Sequence, residues 1–315
     1  MLLPVANSLQ RLWTSHVLLY HSTFARVPDR LRQGLHNVTP EQLYRQIRWL
    51  KRHFDIVSVD DFFRRYRTGR VAITFDDAYT CVFTEAAAVL ESLKVPFTVF
   101  VNGCSLEGKA FWRDKIRFLI NRGLVAKFLD FLAPLADDAR LMTVENFYRV
   151  TKDPRVSSRR LDLHVDRFLE QENIRFEEMS FCVNDSSLLR TNPLCTLGSH
   201  TYHHYVLSSL TDDEQENDIR RNLQLLQGLN VPLSRVFSIP FGGDEDFNSV
   251  TLRLIRKYGY EGFLYSRNRL NSRKLLQIPV NAEFLPAAER YMVEPEYNRF
   301  HFHLFKLAVK SVLRR

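Results

Sequence analysis

The 315-residue sequence holds only four cysteines, Cys81, Cys104, Cys182 and Cys195, and no two of them form a C-x-x-C pair. That scarcity excludes a disulfide framework and a cysteine-built zinc site, and it fits a reducing compartment. No stretch approaches the roughly 20 apolar residues that a membrane-spanning helix needs. Residues 1–7 lack a basic run followed by a sustained apolar core, so the expectation is a cytoplasmic protein with no export signal. A zinc-finger spacing, an RNP-like aromatic motif and a helix-turn-helix signature are also missing, which argues against nucleic acid as a partner. The formal net charge of +8 would still suit an anionic substrate or an anionic membrane face.

What is present is a β and α alternation with enough apolar content, 45%, for a sizeable core. Val17-Leu18-Leu19-Tyr20-His21 reads as a first strand ending in a histidine. Thr39-Pro40-Glu41-Gln42 opens a helix with a capping box and a proline at its first turn. Asp55-Ile56-Val57-Ser58-Val59 is a second strand, followed by a short helix over 60–68. Val71-Ala72-Ile73-Thr74-Phe75 is β-branched and aromatic like a buried parallel strand, yet it runs into Asp76-Asp77. Ligands of α/β proteins collect at the carboxyl ends of parallel strands, so this pair is a candidate for chemistry. Capping of the following helix, over 79–93, would also explain an aspartate there.

Leu194-Cys195-Thr196-Leu197-Gly198-Ser199 reads as another strand and leads into His200-Thr201-Tyr202-His203-His204. In a helical turn His200 and His204 would share a face and grip one metal ion, with an aspartate from another strand completing the set.

Thr74-Phe75-Asp76-Asp77 and His200-Thr201-Tyr202-His203-His204 resemble the T-F-D-D and H-[S/T]-x-x-H motifs of the polysaccharide deacetylases, the NodB-homology group of carbohydrate esterase family 4. The resemblance covers about 16–103 and 191–282. It implies an α/β fold, a distorted (β/α) barrel of about seven parallel strands. The whole chain, 1–315, would be one barrel domain with a mainly helical insertion at about 104–190 and an amphipathic C-terminal helix at about 298–315. It further implies that Asp77, His200 and His204 hold a divalent ion, with Zn²⁺ the expected one, and that Asp76 is the general base. Phe241, in Ile239-Pro240-Phe241-Gly242, resembles the residue whose backbone N–H helps to hold the oxyanion.

Two features depart from the family pattern. Ser238 stands where the family has the arginine that steadies the catalytic carboxylate, leaving Arg235 or Arg113 as guesses for that role. The strand expected to close the barrel, Leu275-Leu276-Gln277-Ile278-Pro279-Val280, lacks the L-x-x-H histidine that serves as general acid. His21 is the first candidate for the acid, with His203, His301 and His303 behind it.

The expected reaction is metal-dependent hydrolysis of an N-acetyl group from an amino sugar in surface-polysaccharide or glycolipid assembly. A nucleotide- or lipid-linked N-acylated amino sugar would be the substrate. A deformylase or other amide hydrolase of the same fold is the first alternative, and a non-catalytic metal-bearing glycan-binding protein the second. In the tail, Lys306, Lys310 and Arg314 fall on one helical stripe while Leu304, Phe305, Val309, Val312 and Leu313 fill other positions. Such a helix would pack on the barrel or touch anionic lipid at the inner membrane face.

Overall fold

A computed structural model describes residue 11, residues 13–189 and residues 194–313. Among these residues are ten strands: β1 (His16–Tyr20), β2 (Asp55–Val57), β3 (Arg70–Phe75), β4 (Phe97–Val101), β5 (Cys195–Ser199), β6 (Val236–Ser238), β7 (Gly262–Leu264), β8 (Leu276–Val280), β9 (Glu283–Ala288) and β10 (Arg290–Met292). One sheet runs β10-β1-β3-β4-β5, with β2 also on β3, and is parallel throughout. The other runs β6-β7-β9-β8, in which β8 is antiparallel to β9.

Two seams join the sheets into a ring. β9 continues through Glu289 into β10, so one extended segment pairs with β7 at Ala287 and Ala288 and with β1 at Arg290, Tyr291 and Met292. At the other seam Leu197 bridges to Leu233. Its N–H donates to the Pro232 carbonyl at 3.0 Å, and the Ser234 N–H donates to its carbonyl at 2.7 Å. With β9 and β10 counted as one, seven parallel strands surround the interior, as the sequence leads one to expect.

The closing strand is not the expected one. Of residues 275–280, Leu276–Val280 form β8, which folds back outside the ring. Leu276, Gln277 and Pro279 are exposed, whereas a barrel strand must be covered on both faces; Leu285, Ala287, Ala288, Arg290 and Tyr291 meet that demand.

Alternation along the strands sorts the side chains into two environments. Leu18, Ile73, Phe75, Leu197 and Phe237 point outward into the main apolar core under the helices. Val17, Ala72, Phe100, Val236, Leu264 and Ala288 form a separate cluster inside the ring, closed by Val59 and Phe62 of the helix Val59–Arg64. Gly198 belongs to this packing, since a Cβ there would lie 2.4 Å from the Phe100 ring. The same inward parity carried on toward the carboxyl ends gives His21, Asp76, His200, Ser238, Ser266 and Arg290. The fold thus separates a dry apolar floor from a polar mouth.

Capping boxes at Thr39 with Gln42 and at Thr211 with Glu214 start the helices Pro40–His53 and Asp212–Gln227, each satisfying two otherwise orphaned backbone donors. Between β4 and β5 lie the helices Trp112–Asn121, Val125–Leu132 and Ser158–Gln171. Their buried faces, including Ile116, Leu119, Phe128, Leu132, Val165 and Phe168, continue the main core. Each such side chain contributes roughly 1.5–3 kcal/mol on burial. All four cysteines are buried thiols, and no disulfide joins them.

The final helix, Tyr297–Leu313, buries Phe300, Leu304 and Ala308, and Phe300 packs on Trp49 at a ring distance of 5.9 Å. Phe305, Lys306, Val309 and Lys310 are exposed. Arg314 lies outside the described residues, as do residues 1–7. Among the described residues no helix is long and apolar enough to cross a membrane.

Candidate active site

Asp76 and Asp77 follow β3 directly, and neither caps the next helix, whose N-cap is Cys81 without a side-chain bond. Adjacent strand residues ordinarily face opposite ways. Here Asp77 and Ala78 take left-handed backbone angles, φ 71° and 55°, so the chain doubles back and both carboxylates reach the ring mouth. Residues 200–204 are not a helical turn, contrary to expectation. Thr201 and His204 have φ of 64° and 63°, and the Thr201 hydroxyl accepts the His204 N–H at 3.0 Å. This loop brings the two imidazole rings to 4.6 Å between centroids. Positive φ at residues other than glycine recurs at Phe241, and such strain concentrates where a site demands it.

Asp77, His200 and His204 are buried, and their ligand atoms all lie within 4.8 Å of one another. Asp77 Oδ1 is 3.5 Å from His204 Nε2 and 3.7 Å from His200 Nε2. Those spacings approach the ~3.4 Å edge of a tetrahedron with metal–ligand bonds of about 2.0–2.1 Å. His200 Nδ1 lies 2.8 Å from the Ser238 carbonyl, which can only accept, so the proton sits on Nδ1 and the Nε2 lone pair faces the cluster. Burial pushes both histidines below the usual range, keeping them neutral and able to ligate. Asp77 Oδ1 has no hydrogen-bond partner, and burial, with Asp76 and Asp114 nearby, raises its carboxyl to about 8 despite Arg117. A lone-pair-rich, donor-poor cluster of this kind fits a divalent cation.

Asp76 differs from its neighbour. Arg290 Nη1 donates to Asp76 Oδ1 at 2.7 Å, while Arg290 Nε and Nη2 are held by the Tyr265 carbonyl at 3.0 Å and the Ser266 hydroxyl at 2.6 Å. Ser238 Oγ lies 3.3 Å from Asp76 Oδ1. Burial alone would raise the Asp76 carboxyl, but Arg290 and His200 outweigh it and hold it below the usual range. The arginine absent at position 238 is therefore supplied from β10. Neither earlier guess holds: Arg235 pairs with Glu261 at 2.7 Å, and Arg113 bonds Thr151 at 2.9 Å.

Around this cluster is a cavity of about 360 Å³, lined also by His21, His36, Arg113, Tyr148, Lys152, Phe241 and Ser266. The Phe241 ring stands edge-on to His204 at 4.7 Å, and among the described residues its backbone N–H meets no acceptor. Gly242 behind it is obligatory, because φ is +66° and a Cβ would come within 2.7 Å of the Ser266 nitrogen.

His21 reaches the cavity, whereas His203 pairs with Asp218 at 2.5 Å, His301 meets Trp49 edge-on and His303 pairs with Glu294, all away from it. Sequence reasoning missed His36. Its Nε2 donates to the Val293 carbonyl at 2.6 Å, so its Nδ1 accepts from His21 Nδ1 at 3.4 Å. Burial and His36 keep His21 neutral at rest, with Nε2 free to gain a proton.

Residues 64–125 and 184–263 match the family model named polysaccharide deacetylase. Among solved structures, IcaB from Ammonifex degensii is similar with a TM-score of 0.56 and 17% identity, over 94% of this chain and 97% of that one. The Streptococcus pyogenes deacetylase PplD, in complex with acetate, is similar with a TM-score of 0.53 and 15% identity, over 94% and 98%. At such identities the likeness is one of fold. No curated protein matches the chain in sequence.

Proposed function

The chain belongs to the polysaccharide deacetylase family, and on that premise we propose that it is a metal-dependent hydrolase removing the N-acetyl group of an amino sugar in surface-polysaccharide or glycolipid assembly. The observation that carries this reading is the division of labour between two adjacent carboxylates. Asp77 joins two neutral imidazoles in an unpartnered cluster, while Asp76 beside it is kept ionised by Arg290.

Asp77, His200 and His204 would hold the ion, and two imidazoles with one carboxylate suit Zn²⁺. A Zn²⁺ ion there would lower the pKa of a bound water from 15.7 to about 7 and polarise the acyl carbonyl. Asp76 takes the proton of the attacking water; a general base of this kind is worth about 10²–10⁴-fold. The Phe241 N–H donates to the oxyanion, and the left-handed turn fixes its direction before substrate arrives. His21 Nε2 delivers a proton to the departing amine nitrogen, since an amide nitrogen leaves poorly without one. His21 rests neutral, so it must first gain that proton during turnover.

A nucleotide- or lipid-linked sugar is the substrate form this reading favours. Lipid linkage is compatible with the exposed Phe305, Lys306, Val309 and Lys310 face, which suits the surface of an anionic membrane. The test is to incubate Zn²⁺-loaded protein with N-acetylated and N-formylated nucleotide-sugars and lipid-linked sugars, and to measure acetate and formate. Acetate release that stops on chelation and returns with Zn²⁺ is expected. Formate alone, or no release from any probe, would overturn the proposal.

A further inference from the structure

Among the described residues, the buried cations are neutralised with one exception. Arg290 meets Asp76, Arg117 meets Asp114 at 2.7 Å, and Lys115 meets Asp162 at 2.5 Å. Arg113, 1% exposed, does not follow the pattern. Its Nη1 donates to the neutral Thr151 hydroxyl, its Nη2 makes no well-formed hydrogen bond, and the polar group beside it is the Tyr148 hydroxyl. Its guanidinium is packed by the rings of Trp112, Tyr148 and Phe241, at 4.7, 4.8 and 5.5 Å from their centroids. Lys152 lies over the Tyr148 ring at 4.0 Å and, among the described residues, forms no ion pair. Arg113, Tyr148 and Lys152 all line the cavity that holds the Asp77 cluster.

A buried, half-satisfied guanidinium is costly unless a ligand completes it, and a planar donor fork suits a phosphate or carboxylate oxygen. The local potential agrees. Although burial opposes ionisation, Arg117, Arg113 and Lys152 pull the Tyr148 hydroxyl down to about 7, so negative charge is welcome here. The Phe241 ring contacts both Arg113 and His204, which puts the Arg113 guanidinium one aromatic ring away from the reacting centre. In a 2-acetamido sugar the anomeric oxygen is on the carbon next to the acetamido group, so a phosphate ester there lies beside the acyl group.

We propose that Arg113, Lys152 and Tyr148 form a subsite for a phosphate ester on the substrate, directing the enzyme to sugars still joined to a phosphorylated carrier. This inference rests on the deacetylase reading for its reaction but not for its binding chemistry. The test uses Zn²⁺-loaded protein and three probes: UDP-N-acetylglucosamine, undecaprenyl-diphospho-N-acetylglucosamine in micelles, and neutral tetra-N-acetylchitotetraose. Equilibrium binding and kcat/KM are measured separately.

At least one phosphorylated probe should be preferred, and Arg113→Gln should reduce that preference by about 10–100-fold, mainly through KM. Lys152→Gln, at a half-buried position, reads the same ratio if Arg113→Gln fails to fold. The two phosphorylated arms identify the carrier. Equal turnover of the neutral oligomer with no response to either substitution would overturn the subsite while leaving the deacetylase reading standing. Arg113-dependent binding without turnover of any probe would do the reverse. Neither binding nor turnover would overturn both.

Discussion

Arg290 and Asp76, 214 residues apart in sequence, meet at 2.7 Å inside the ring, with the arginine wholly buried. Removing the guanidinium would leave a buried carboxylate uncompensated, which typically costs about 3–5 kcal/mol. Arg290→Gln should therefore lower Tm markedly. It should also raise the Asp76 pKa, because Arg290 is the chief influence holding it down against burial. The acidic limb of the kcat/KM profile should then move to higher pH, and Arg290→Lys should recover part of both losses. An unshifted acidic limb in a folded Arg290→Gln variant would count against the pairing as the support of the base.

Metal binding should release a proton near neutral pH. Burial holds the metal-free Asp77 carboxyl up to about 8, so below that value the ion must displace a proton. Both ligand histidines are already neutral there and contribute none. Calorimetric titration of Zn²⁺ at pH 7, in buffers of different ionisation enthalpy, should give about one proton per ion from Asp77, with up to about half a proton more from the bound water. Apparent affinity should rise about tenfold per pH unit up to about 8. Zero protons released would show that Asp77 is already ionised.

His21→Gln should lower kcat while leaving zinc content unchanged, because proton donation matters in the transition state and not for holding the ion. His36→Gln removes the acceptor that orients His21 and should produce a smaller loss of the same kind. Normal turnover by His21→Gln would remove it as the proton donor.

The C-terminal helix should give weak, salt-sensitive binding to anionic vesicles through its outer face. Replacing Phe305 and Val309 by serine should reduce co-sedimentation without lowering Tm, since the barrel contacts run through Phe300, Leu304 and Ala308. Equal co-sedimentation of wild type and the double variant would argue against membrane contact.

Much of the barrel was legible because its strands obey a period of two and their ends carry unusual residues. Asp76, Asp77, His200 and His204 stood out for that reason, and the structure brings all four together. Three things were not legible. The closing strand lies where 285–292 reads less strongly than the apolar run at 275–280, and only burial separates them. Arg290 is one arginine among many, in a segment outside the residues that match the family model, and nothing local in sequence marks it as buried. The His200 loop depends on left-handed angles at Thr201 and His204, which a four-residue spacing does not distinguish from a helical turn. Long-range pairing and backbone strain at a site are set by tertiary context, which local patterns do not carry.

The most direct test of the account is zinc content, with turnover, measured on purified Asp76→Asn and Asp77→Asn. Asp77→Asn should lose zinc and activity together, because a neutral amide oxygen is a weaker ligand than a carboxylate. Asp76→Asn should stay folded and retain its zinc, yet turn over about 10²–10⁴-fold more slowly. An empty Asp76→Asn beside a loaded Asp77→Asn would reverse the two roles, and full zinc with full activity in both would contradict the mechanism altogether.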